Sequence, residues 1–136
     1  MIPTTKRITK KFGVDGRFKF IEGDLLEADF GEGHDIATLG HILHSEGEER
    51  SRKLLKKTAN AVKSGGTIAI GEWLVNEERT EPLNGLIFAV NMLVNTESGD
   101  TFSFNEIKRW LEEAGFKNAR TLEAPGPSPL VLATKS

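Results

Sequence analysis

The stretch LLKKTANAVKSGGTIAIGEWLV, residues 54–75, decides the fold. Leu54, Leu55, Ala59 and Val62 recur at helical spacing, so their side chains share one face of a helix. Ser64-Gly65-Gly66 is read as the stop of that helix. Thr67-Ile68-Ala69-Ile70 then forms a short apolar run that ends near Glu72, as expected of a buried strand. A helix feeding straight into a buried strand is the building unit of an α/β sheet.

The flanking segments extend this pattern. Upstream, Ile36 to Leu39 is a second short apolar run and ends at His41 and His44. Ser45 followed by Glu48 fits a capping box for the helix between the two runs. Phe18 to Glu22 alternates and leads into Gly23-Asp24, which predicts a strand followed by a turn. Gly31-Glu32-Gly33 precedes a strand instead of following one, so it is a turn and not a phosphate loop. Thr4 to Phe12 predicts a helix, with Pro3 before it, Thr4 or Thr5 as cap and Gly13 to close it.

Downstream, Pro82 to Val94 predicts a helix largely buried on one side. Ser103-Phe104-Asn105-Glu106 is a second capping box, opening a helix with Ile107, Trp110, Leu111 and Ala114 on one face and Gly115 at its end. Ala119 to Glu123 and Leu130 to Thr134 read as strands, joined by the turn-rich Pro125-Gly126-Pro127-Ser128-Pro129. Only that short joint suits an antiparallel hairpin, because parallel crossovers need a dozen residues or more. The fold class expected is α/β, with a mostly parallel sheet and one antiparallel strand near its C-terminal edge.

Composition sets limits on function. The 136 residues are read as a single domain, 1–136, large enough for a real core. Eighteen basic and 20 acidic side chains leave a formal charge of −2, which gives no reason to expect a nucleic-acid or membrane partner. The basic cluster Lys6, Arg7, Lys10 and Lys11 reads as a solvated helix face. With no cysteine there is no disulfide, thiolate nucleophile or cysteine–zinc site. The N-terminus has no signal-peptide core, and the apolar run at 86–94 is too short for a bilayer, so a soluble cytoplasmic protein is expected.

Two constellations carry chemistry. His41 and His44 stand three apart, but on a loop that spacing says little, and His34 lies at the other end of the strand, roughly 20 Å away at strand rise. No metal site is expected from them. Asp24, His44 and Glu72 each follow a strand, which would put all three at the carboxyl edge where α/β sheets bind ligands. The plainer alternative, three solvated loop polars, fits the spacing equally well.

GDLLEADF at 23–30, HDIATLGHILH at 34–44, residues 54–75 and NMLVNTESGDTFSFNEIKRWLEEAGF at 91–116 together resemble, in order and spacing, the S-adenosylmethionine-dependent O-methyltransferases of the small-molecule, hydroxyindole and caffeate type. The resemblance runs from about Pro3 to the end. It implies a class I, Rossmann-like three-layer sandwich, a methyl donor as cofactor and a small-molecule hydroxyl as acceptor. It places the general base on His44 and a carboxylate orienting it on Glu72. Asp24 and Leu25 fall where relatives contact the adenine side of S-adenosylmethionine, and Asn91 and Met92 where relatives line the acceptor pocket. Such chemistry needs a base that titrates near neutrality within reach of the hydroxyl, and it needs good positioning.

Several positions depart from the family pattern. Ser45 and Glu46 stand where many relatives have Asp then Trp, Thr101 where plant relatives have a second orienting glutamate, and Gly40 where some have a cofactor lysine. The family's first strand, its glycine-rich loop and most of its second strand would precede Met1, with the ribose-binding acid at or near Met1. A partial domain is therefore expected, weak or inactive alone, whose strand at 18–22 lacks its parallel neighbours. The alternative is a non-catalytic binding or assembly module, with a homo-oligomer formed through the open sheet edge.

Overall fold

A computed structural model describes residues 2–126 and 128–136. Pro127 of the expected turn, and Met1, at or near which the ribose-binding acid is expected, lie outside the described residues. The chain begins with α1 (Ile2–Lys11) and a single 3-10 turn at Asp15–Arg17. There follow β1 (His34–Gly40), α2 (Leu43–Ala61), β2 (Val62–Gly71), β3 (Leu74–Val75), α3 (Leu83–Asn95) and β4 (Phe102–Ser103). The chain closes with α4 (Phe104–Glu113), β5 (Phe116–Leu122) and β6 (Leu130–Lys135).

Four strands form one sheet in the order β1-β2-β6-β5, and β3 pairs with β4 in a small second sheet. β1 and β2 are parallel, whereas β6 is antiparallel to both β2 and β5. Three strands therefore run one way and β6 is the reversed one, as expected from the short β5–β6 joint. Ile68 faces Ala133 and Ile70 faces Val131 across the β2–β6 pair. These four side chains are fully buried beneath Leu54, Leu55 and Ala59 of α2 and Ile107, Trp110 and Leu111 of α4. Each large apolar side chain so buried contributes about 1.5–3 kcal/mol, which makes this the principal core. Thr67, Ala69, Leu130, Leu132 and Thr134 of the opposite face are only half-buried, so among the described residues the sheet is fully covered on one side, in keeping with the incomplete sandwich expected.

Local expectations divide in an informative way. Ser103 caps α4 through a complete capping box with Glu106, and Gly13 follows the end of α1 with φ 67°. The Ser45–Glu48 box does not form. Gly47, at φ 73° and ψ 175°, breaks the helix between the two residues, and Ser45 Oγ donates instead to the Ile42 carbonyl. Ser64-Gly65-Gly66 is not a loop after the helix. α2 ends at Ala61, and the three residues lie inside β2, where the register against β1 jumps and accommodates them as a bulge.

The strand expected at Phe18–Glu22 is absent. Phe18 and Phe20 stack on each other at 5.8 Å, but no strand among the described residues pairs with them, and an unpaired strand cannot repay its ordering entropy. α3 is likewise not largely buried on one side. Only Gly85 and Met92 are buried, while Leu83, Ile87, Val90, Leu93 and Val94 are exposed, because the described residues supply nothing to cover that face.

Candidate functional site

β1 and β2 end side by side at Gly40 and Gly71, and the site is built on the residues that follow them. The His41 N–H donates to the Gly71 carbonyl at 2.8 Å. His41 takes a left-handed backbone conformation (φ 54°), which turns the chain from β1 into α2 within two residues. His44 therefore sits in the first turn of α2, directly above the end of β2. The loop before β4 locks that turn in place: the Asp100 N–H donates to the His44 carbonyl at 2.9 Å. A Cβ on Gly47 would stand 2.7 Å from Ser98 Oγ, so the loop and helix approach closely enough to require glycine there.

Glu72 is completely buried, and its carboxylate is shared. Oε1 accepts the His44 Nδ1–H at 2.6 Å and the Trp73 N–H at 3.1 Å, while Oε2 accepts the His44 backbone N–H at 3.3 Å. His44 is itself 8% exposed. A buried carboxylate can only accept, so it selects the imidazole tautomer with the proton on Nδ1 and leaves the Nε2 lone pair free. The edge of Phe88 meets the His44 ring at 4.8 Å, and Trp73 lies 5.7 Å from Phe88, forming an apolar wall beside the imidazole. His41 Nδ1 stands 3.9 Å from the same Oε1, and its Nε2 lies 3.3 Å from the Ser128 hydroxyl. A shallow cavity of about 280 Å³ opens along Thr38, Gly40, His41, Ala69, Ser128 and Leu130.

The structure thus unites His44 and Glu72 among the residues expected at the site. Met92 is buried on α3, the helix that also places Phe88 on His44, whereas Asn91 is exposed and bonds Asn95. Asp24 makes its contacts elsewhere. Its Oδ1 accepts the Leu26 N–H at 2.8 Å and its Oδ2 the Arg50 guanidinium at 2.8 Å. That backbone N–H first, and Arg50 second, hold the Asp24 carboxyl below its ordinary value. Leu25 is half-buried against the core. Thr101 is fully buried, and its hydroxyl has no hydrogen-bond partner among the described residues. Phe88, Trp73 and Ser128 are not legible as site residues in the sequence, because each reaches the histidines from a different part of the chain.

The fold and the site together define a class: an α/β domain with a histidine–carboxylate pair at the carboxyl edge of parallel strands. The chain belongs to the O-methyltransferase domain family, which matches residues 2–117. It is 33% identical over 126 residues to the 3-hydroxy-5-methyl-1-naphthoate 3-O-methyltransferase of Streptomyces sahachiroi, covering 91% of this chain and 36% of that protein. It is 31% identical over 125 residues to the S-adenosyl-L-methionine-dependent methyl transferase PigF of Serratia sp., covering 91% of this chain and 36% of PigF. The PigF structure with SAH superposes with a TM-score of 0.84, covering 94% of this chain and 38% of that one. A crystal structure from Nostoc punctiforme superposes with a TM-score of 0.93 at 26% identity, covering 98% of this chain and 41% of its own. The chain therefore spans a little over a third of the length of these relatives.

Proposed function

We propose that this chain carries the acceptor-deprotonating part of an S-adenosylmethionine-dependent O-methyltransferase acting on a small-molecule, aromatic hydroxyl. The single observation behind this reading is the buried 2.6 Å hydrogen bond from His44 Nδ1 to Glu72. His44 Nε2 accepts the hydroxyl proton of the acceptor, and Glu72 holds the ring in register and stabilises the imidazolium that results. Phe88, Trp73 and Met92 form the apolar side against which an aromatic acceptor lies, with Asn91 further along α3. The naphthoate enzyme among the relatives supports that acceptor class.

The methyl donor, when bound, supplies an electrophilic sulfonium methyl. Asp24 and Leu25 suit its adenine side only in part, since both Asp24 oxygens are already engaged by Leu26 and Arg50. Among the described residues no glycine-rich loop joins a strand to a following helix N-terminus, the arrangement that cradles such a cofactor. Weak or absent binding of S-adenosylhomocysteine to the chain alone is therefore expected by calorimetry, and nanomolar affinity would contradict this. In a labelled-methyl assay with phenolic and naphthoic acceptors, His44→Gln should lower whatever transfer occurs by about 10²–10⁴-fold. Undiminished transfer by that variant would remove the base assignment.

A second reading, a non-catalytic assembly module, draws on the exposed apolar residues of α3 and on the edge of β1 that no described strand pairs with, where Ile36 is 64% exposed. Association through that edge as a homo-oligomer would appear in light scattering after size exclusion, and a monomer at high concentration would refute it.

A further inference from the structure

We propose that His41, His44 and Glu72 form a binding site for a zinc-like divalent ion, and that this ion holds His44 out of its base tautomer. One ligand atom from each residue lies within 4.8 Å of the others. The Nδ1 atoms of both histidines face the same carboxylate oxygen, at 2.6 Å and 3.9 Å. Bonds of about 2.1 Å in a tetrahedral zinc site place ligand atoms roughly 3.4 Å apart, between those two distances. The His44–Glu72 contact has to open and His41 has to close, from a starting set in which all three ligand atoms already lie within 4.8 Å of one another. The Glu72 and His44 side chains are buried, whereas the His41 side chain is 46% exposed and has the room to close on them.

Two further observations favour a cation. First, His41 sits in a left-handed conformation that a β-carbon disfavours, and this directs its ring to Glu72. Second, Ser128 Oγ lies 3.3 Å from His41 Nε2. With Nε2–H donating to that hydroxyl, Nδ1 keeps its lone pair turned toward the carboxylate, the outer hydrogen bond that orients metal-ligating histidines. Imidazole and carboxylate donors with an exposed side left for solvent suit zinc or cobalt and not magnesium. His34 lies at the other end of β1, and the third donor is Glu72, brought in by the parallel neighbour strand.

The chemical consequence follows from the tautomer. A metal on Nδ1 of His44 uses the lone pair of that nitrogen, so the single ring proton moves to Nε2. The ring stays neutral and no net proton is released, but Nε2 no longer has a lone pair to accept a hydroxyl proton. Zinc occupancy and base function are therefore mutually exclusive. This consequence rests on the base assignment above, whereas the binding itself does not.

The test is calorimetric titration of Zn²⁺ into the chain, with Co²⁺ visible spectra in parallel and NMR observation of the His44 Nδ1–H resonance. His41→Asn, which tolerates the left-handed backbone, removes one ligand, and His34→Asn serves as the control. One equivalent of Zn²⁺ is expected, with loss of the Nδ1–H signal. Affinity should fall at least tenfold in His41→Asn and stay unchanged in His34→Asn, while Mg²⁺ has no effect. Equal affinity in wild type and His41→Asn, or no saturable binding, overturns the proposal. Neither readout depends on methyl transfer, so the metal site and the base assignment can fail separately.

Discussion

Replacing Glu72 by leucine should be among the costliest single changes in the chain, and the loss should be coupled to His44. Glu72→Leu leaves three N–H donors without their acceptor: His44 Nδ1–H, the His44 backbone N–H and the Trp73 backbone N–H. Each orphaned buried donor costs about 1–3 kcal/mol, so losing the acceptor of all three costs about 3–5 kcal/mol at the lower half of that range. At a few degrees per kcal/mol for a domain of this size, the melting midpoint falls by roughly 10–20 °C. His44→Leu should also be costly, because the buried carboxylate loses its Nδ1–H donor and keeps only the backbone N–H groups of residues 44 and 73. The double variant replaces both polar partners with apolar groups and should be less unstable than the sum of the singles. A coupling of about 1.5–3 kcal/mol is expected from urea unfolding, the range for a hydrogen bond to a charged group. Coupling below about 0.5 kcal/mol would show that the pair does not exist in solution, and the tautomer argument would fall with it.

Other perturbations follow from the same geometry. Gly47→Ala combines a left-handed backbone with a collision against Ser98, and should lose about 1–3 kcal/mol in thermal or urea unfolding; a neutral result would mean that the loop does not pack on α2. Ser103→Ala removes the α4 capping box and should cost about 1 kcal/mol by the same assay. Asp24 gives a pH signature. Its folded carboxyl titrates below the unfolded value, so its stabilising contribution is present above the ordinary carboxylate range and is lost as pH falls through the lowered value. Carboxyl NMR titration should therefore show a low Asp24 midpoint that rises in Arg50→Met, and an unchanged midpoint would assign the shift to Leu26 alone.

Features held by contacts near in sequence were legible; those needing a distant partner were not. The Ser103–Glu106 box, the α2-to-β2 unit and the β5–β6 hairpin each follow from a few adjacent residues. The Ser45–Glu48 box has the same letters as the first, but Gly47 adopts a conformation set by Ser98, about fifty residues away. Phe18–Glu22 has the alternation of a strand without a partner strand, and α3 has an apolar face without a cover. Strand ends placed His44 and Glu72 at one edge, yet the carboxylate's burial and the approach of Phe88, Ser128 and His41 depend on tertiary packing that periodicity does not encode.

The most direct test of the central claim is the tautomer of His44, read from nitrogen-15 imidazole NMR near neutral pH. A proton on Nδ1 and a bare Nε2, with the preference lost in Glu72→Gln, is the predicted result. A His44 ring protonated on Nε2 in the wild-type chain would contradict it.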